Sequence, residues 1–189
     1  MAIKTFTTGE VLTAADTNTY LANSGLVYIS TTTFTTASTR VSLPNNTFTA
    51  TFDSYRILFN TTAQSAAGAV TYSLTLRSAG TDSTGTYWNT FSSGIDRGGT
   101  AITRTSTDAS TTPLLDSFAS AFPNMMFTLD LHFPYLSRAK YLTGHSTNIL
   151  KGTSVNSVAN TTISYDSLSF LIDTGNVTGT VTVYGYRKA

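Results

Sequence analysis

The amino-acid sequence predicts a mainly β protein: an antiparallel two-sheet β-sandwich, jelly-roll-like, preceded by one short N-terminal helix. Three observations carry this expectation. Apolar and polar residues alternate with a period of two, as in Val70, Tyr72, Leu74 and Leu76 against Thr71, Ser73 and Thr75. Turn-forming clusters of Gly, Asn, Asp, Ser and Pro punctuate these runs, and no long helical pattern interrupts them after Gly25. With 189 residues and 40% hydrophobic content, the chain has the material for a single core.

The helix comes first. Thr13 and Asp16 have the spacing of a capping box, in which the hydroxyl accepts a backbone N–H and the carboxylate complements the positive end of the helix dipole. The run carries Tyr20, Leu21 and Ala22 and stops at Asn23-Ser24-Gly25. A helix of roughly three turns is marginal in water by itself. Phe6, Val11, Leu12, Tyr20 and Leu21 therefore need a surface to bury against: the chain's own sheet, symmetry mates or a larger assembly. Residues 1–25 are read as an attachment segment and 26–189 as a β-sandwich head domain.

Strands follow. One is expected over Leu26 to Phe34. In the next, Tyr55, Ile57 and Phe59 face one way against Arg56 and Asn60, with Leu58 on the polar side. The Val70 to Leu76 strand comes after a turn at Ala63 to Gly68, which reads as a hairpin. Met125, Phe127, Leu129, Leu131 and Phe133 alternate with Thr128, Asp130 and His132, and Pro134 to Ser137 turns the chain into a strand near Ala139 to Thr143. The apolar phase slips between Ile163 and Ile172, which a bulge or turn at Asp166-Ser167 explains. A second hairpin is expected at Asp173 to Asn176, before Val177 to Tyr186. About eight to ten strands result, and two packed sheets bury one face of each. The sheet edges have few charges to guard them, which favours symmetric association.

Composition narrows the function. Charged residues make up 11%, against roughly 25% in an average soluble domain. The resulting neutral, hydroxyl-rich surface suits an external particle. The net charge is +1 and the 11 basic residues are scattered, so there is no phosphate-tracking stripe and nucleic acid is not an expected partner. Cysteine is absent, which removes disulfides and thiolate metal sites. No apolar run is long enough to span a membrane, and Met1 to Thr8 lacks the apolar stretch of a signal peptide. An external protein without an export signal is what a lysis-released particle would contain.

Catalytic and metal motifs are missing. His132 and His145 lack the spacing of a helical zinc pair, and no Gly-x-Ser-x-Gly exists. Carboxylate pairs such as Asp82 with Asp96, or Asp130 with Asp166, have the chemistry of a glycosidase, but the body is short for one. The chain is expected to be no enzyme and to need no cofactor or metal. Recognition has better candidates. Tyr87 and Trp88 lie beside Asp82, Asn89, Asp96 and Arg97, so that a ring could stack on a sugar face while polar groups bond its hydroxyls. The competing reading places Trp88 in the core or at a subunit interface. Tyr135 and Arg138, with Lys140 and Tyr141, form a second aromatic and basic stretch with the same two readings.

Three stretches resemble a known class. FTTGEVLTAADTNTYL (residues 6–21) resembles the N-terminal segment of tailed-bacteriophage virion proteins, particularly tail-fibre, tail-spike and related appendage subunits. YRILFNTTAQSAAGAVTYSLTLRSAGTDSTGTYW, from Tyr55 to Trp88, and VTGTVTVYGYRKA, from Val177 to Ala189, are similar to the same class. The resemblance implies a virion location, docking on other virion proteins through the N-terminus, a homotrimer, and a head displayed for recognition of a host-surface glycan. Two alternatives stay open: a capsid decoration or head-fibre protein, and a carbohydrate-binding module of a bacterial protein. Asn89 to Asp173 carries no resemblance, and specificity is expected there.

Overall fold

The computed structural model describes residues 7–11, 13, 15, 25–65, 70–84, 88–96, 102–110, 114–118, 124–147 and 151–188; for 36–38, 89, 91–92, 94–96, 102–110, 114, 116–118 and 151 it describes the backbone alone. The expected helix and four of its five anchoring side chains, Phe6, Leu12, Tyr20 and Leu21, lie outside the described residues. Ahead of the body, Gly9 adopts a positive φ of 89° and the Glu10 carboxylate accepts the Thr7 N–H at 3.2 Å. Val11 is exposed.

From Leu26 onward the chain is an antiparallel β-sandwich. Eight strands form the larger sheet: β1 (Leu26–Ser38), β3 (Ser54–Gln64), β6 (Trp88–Asp96), β7 (Ile102–Ser110), β9 (Met126–His132), β10 (Lys140–Thr147), β11 (Lys151–Ala159) and β13 (Val177–Tyr186). Their order is β1-β13-β3-β9-β10-β11-β6-β7. The smaller sheet holds β2 (Arg40–Ser42), β12 (Ser167–Ile172), β4 (Val70–Ser78) and β5 (Thr81–Asp82), in the order β2-β12-β4-β5. β8 (Leu114–Phe118) pairs with β4 further along the same edge. Thirteen strands among the described residues exceed the expected eight to ten, because short edge pieces such as β2 and β5 carry no alternation to read.

The predicted alternation sets the core. Tyr55, Ile57 and Phe59 of β3, with Phe127, Leu129 and Leu131 of β9, point inward from the larger sheet, and Tyr72, Leu74, Leu76, Leu168 and Phe170 meet them from the smaller one. Phe59 is the hub: its ring stacks on Phe170 at 4.3 Å and on Phe127 at 5.6 Å, and touches Tyr72 edge-on at 6.4 Å. Burying rings of this size supplies the main driving force for the two layers to close.

Three local expectations need correction. Ala63 to Gly68 and Asp173 to Asn176 do not close hairpins: β3 and β4 belong to different sheets, as do β12 and β13. These turns carry the chain across the sandwich, because the apolar faces of successive strands are buried against each other and not side by side. Phe133 does not continue β9. The strand ends at His132, and Phe133 takes a φ of 62°, with its ring under the Arg138 guanidinium at 4.1 Å. The turn from Pro134 does close a true hairpin, β9 to β10, and the apolar phase shift falls at Asp166, where the chain bends into β12.

Candidate functional site

The residues singled out in the sequence scatter. Tyr87 and Arg97 lie outside the described residues, as do the side chains of Asn89 and Asp96, whose backbones belong to β6. Trp88 opens β6 opposite Ala159 and is fully buried, so no face of its ring meets solvent. Asp82 serves the scaffold. It pairs with Arg40 at 2.6 Å and Arg77 at 3.1 Å, and accepts the Ser169 hydroxyl at 3.0 Å, tying β5 to β2, β4 and β12. Asp82→Ala leaves Arg77, only 14% exposed at its side chain, without that carboxylate. The expected loss is roughly 2 kcal/mol in urea unfolding, less than for a fully buried pair, whereas Tyr135→Ala at an exposed turn should stay within about 0.5 kcal/mol.

The β9–β10 turn is tied from within. Lys140, part of the aromatic and basic stretch read as either recognition surface or packing, is fully buried, and its ammonium donates to the carbonyls of Leu136 and Arg138. Burial, with the Arg138 charge, pushes its pKa down to about 8. Tyr135 and Tyr141 stay partly exposed, 38% and 41%.

The richest described constellation lies elsewhere, on the outer face of the larger sheet. Strand alternation turns Arg56, Asp130, Thr143, Asn156, Tyr184 and Tyr28 outward, and antiparallel register places them side by side on adjacent strands. At its centre Arg56 makes a bidentate pair with Asp130, Nε to Oδ1 at 2.9 Å and Nη2 to Oδ2 at 2.8 Å. Tyr186 donates its hydroxyl to Asp130 Oδ1 at 2.6 Å, and the guanidinium lies 5.5 Å from the Tyr186 ring centroid. Burial raises the Asp130 carboxyl, but the hydrogen bonds from Arg56 and Tyr186 and the Arg56 charge outweigh it, so it titrates below its ordinary value. Tyr186 is pushed up to about 12, by burial first and then by its bond to Asp130.

This fixes a pH dependence. The Asp130 pKa is depressed on folding, so its contribution is complete above the unfolded carboxylate pKa of about 3.9 and is lost as pH falls through the lower folded value. The stability difference between wild type and Asp130→Asn, from urea midpoints, is expected to hold steady from about pH 7 to 5 and to shrink below about pH 4.

A depression of about 300 Å³ opens beside the pair over β9, β10 and β11. Thr128 and Asp130 line one side, Ser154 and Asn156 the other, with Thr143 and His145 between them. His145 Nδ1 is hydrogen-bonded to Ser154 Oγ at 3.1 Å, and His132 Nδ1 to Ser54 Oγ at 2.8 Å. No carboxylate is hydrogen-bonded to either imidazole among the described residues, so neither pair has the third group of a nucleophilic triad. Asp130 and Asp166 belong to separate networks, the latter accepting the Ala79 N–H at 3.2 Å and the Ser167 hydroxyl at 3.1 Å. Among the described residues no group of three or more His, Asp or Glu side chains stands ready to hold a metal.

Chemically, the face offers hydroxyls, an amide, a guanidinium and a carboxylate fixed on strands, flanked by the Tyr28 and Tyr184 rings, which meet edge-on at 6.0 Å. Rigid donors and acceptors beside aromatic rings are suited to polyol ligands. Alternation marked Arg56 and Asp130 as outward-facing, but their adjacency depends on register between strands 74 residues apart.

No protein-family model matches the chain. No curated protein matches it either. Among solved structures, the chain is similar to the CBM2 module of Lactobacillus casei BL23 phage J-1 evolved Dit, with 9% sequence identity and a TM-score of 0.27, covering 79% of this chain and 69% of that chain. A likeness at that level carries no argument about fold or function.

Proposed function

We propose that this chain is a non-enzymatic structural virion protein of a tailed bacteriophage, a tail-fibre-type subunit that docks by its N-terminus and displays the sandwich for recognition of a host-surface glycan. The observation that carries recognition is the outward constellation centred on Arg56 and Asp130, whose polar groups and tyrosines suit sugar hydroxyls and ring faces. The virion setting is supported by the three sequence stretches that resemble phage appendage proteins. The functional form is a homotrimer in this reading, supported by β1, a 13-residue edge strand without a single charged side chain.

Cryo-electron microscopy of the particle, with an antibody fragment raised against the head, tests this directly. The expected density is three copies about one axis at the tail. Label on the shell would replace the tail-fibre assignment with capsid decoration, and an unlabelled particle would overturn the virion assignment.

A further inference from the structure

We infer that the ligand of the outer face is a neutral, linear glycan lying across the strands, running from Tyr28 to Asn156. The inference rests on the recognition proposed above and names the ligand class and its direction. Register supplies the track: Tyr28, Tyr184, Arg56, Asp130, Thr143 and Asn156 are direct partners along six successive strands. At about 4.8 Å between neighbouring strands, the row is about 24 Å long. One strand spacing is comparable to a pyranose ring with its linkage, so successive sugars of an extended chain would meet successive side chains.

Irregularities spare this row. The β3–β13 shift falls at Thr178/Gly179, away from the Tyr184–Arg56 pair. The β1 shift falls just after Tyr28, and beyond it Thr31 again faces outward, its hydroxyl 3.0 Å from that of Thr182. Thr182 heads a flanking row that continues through Leu58, Thr128, His145 and Ser154, giving further hydroxyls and one apolar side chain.

Charge selects the ligand. Arg56 and Asp130 are the charged groups of the row, and they neutralise each other in a bidentate pair. Because that pair is locally neutral and the Asp130 carboxylate is also engaged by Tyr186, an anionic or a cationic sugar would lose hydration with no net opposite charge on the row to offset the loss. A neutral chain avoids that cost. Tyr28, 60% exposed on the edge strand β1, offers a ring for a terminal sugar, while Asn156, five strands further on, offers an exposed amide before the register passes to Phe91 of β6.

Calorimetric titration of the whole chain with neutral linear gluco-, galacto-, manno- and N-acetylhexosamine oligosaccharides of graded length tests this. Anionic uronic-acid chains of the same lengths and intact host-wall polysaccharide form the comparison arms. The wild type is expected to bind one neutral series more tightly as the chain lengthens, and to reach a plateau once the row is filled. Tyr28→Ala and Asn156→Ala alter exposed positions at opposite ends. Each should weaken the longest member by up to about tenfold, the upper range of an aromatic stacking contribution for Tyr28 and of a hydrogen bond for Asn156, and leave the shortest member unchanged. Preference for the anionic series, or equal losses at every length, would overturn the inference while leaving glycan recognition standing. Failure to bind any oligosaccharide or the host-wall polysaccharide would overturn both.

Discussion

Gly179→Ala is expected to prevent the chain from folding. Gly179 sits at a φ of 155°, where β13 changes register against β3, opposite Thr61. A Cβ built there would lie 1.9 Å from the Asn60 carbonyl oxygen and 2.9 Å from the Thr61 Cα, both backbone atoms of the neighbouring strand β3. No rotamer relieves such a clash, so the two strands must separate, and β13 links β1 to the remainder of that sheet. A loss above about 4 kcal/mol is a large share of the roughly 5–15 kcal/mol that stabilises an ordinary domain. Insoluble protein, or soluble protein without a β circular-dichroism signal, is the expected result. Gly152→Ala is the control, because a Cβ there meets nothing within 4 Å. It should fold as wild type does.

Arg56→Ala should remove glycan binding while keeping the fold. The guanidinium presents a planar fork, two of whose nitrogens hold Asp130, and it fixes the carboxylate that also receives the Tyr186 hydroxyl. Truncation therefore removes one side chain at the centre of the face and releases two others, Asp130 and Tyr186. Loss of a charge-assisted contact of this kind is worth about 2–3 kcal/mol, or roughly 30- to 150-fold in affinity. Stability should fall by less, because the Arg56 side chain is 36% exposed and water replaces part of what is lost. Arg56→Lys should not restore binding, since an ammonium cannot reproduce the bidentate geometry. Titration against the best-binding oligosaccharide, with circular dichroism as the fold control, checks both halves.

Inward faces were legible in the sequence and partners were not. Tyr55, Ile57 and Phe59, or Val70, Tyr72, Leu74 and Leu76, are buried where a period of two placed them, because alternation is a local property of the backbone. Which strand lies beside which is set by the whole core. The turn at 63–68 has a hairpin's composition, but Phe59 and Tyr72 on either side of it meet across the sandwich. Pairing also hid the candidate site: Arg56, Asp130 and Tyr186 come from β3, β9 and β13, and nothing near any one of them marks the other two.

Single residues were ambiguous for comparable reasons. Trp88 had the residue type both for sugar stacking and for packing, and at the head of β6 it is covered, in line with the packing reading. For Lys140 both readings stood open in the sequence, and the carbonyls of its own turn solvate its ammonium inside the protein, a local geometry that residue types do not reveal. Asp82 looked like a ligand-binding carboxylate, and two arginines from distant sequence positions claim it for the scaffold.

Nuclear magnetic resonance titration of the isotope-labelled chain with host-wall polysaccharide tests the central claim most directly, because it reports where the ligand sits without presupposing which side chains hold it. Amide shifts clustered along Tyr184, Arg56, Asp130, Thr143 and Asn156 are predicted. Shifts confined to the hairpin tip around Tyr135 and Arg138, or to the surroundings of Trp88, would contradict the assignment of recognition to the outer face of the larger sheet.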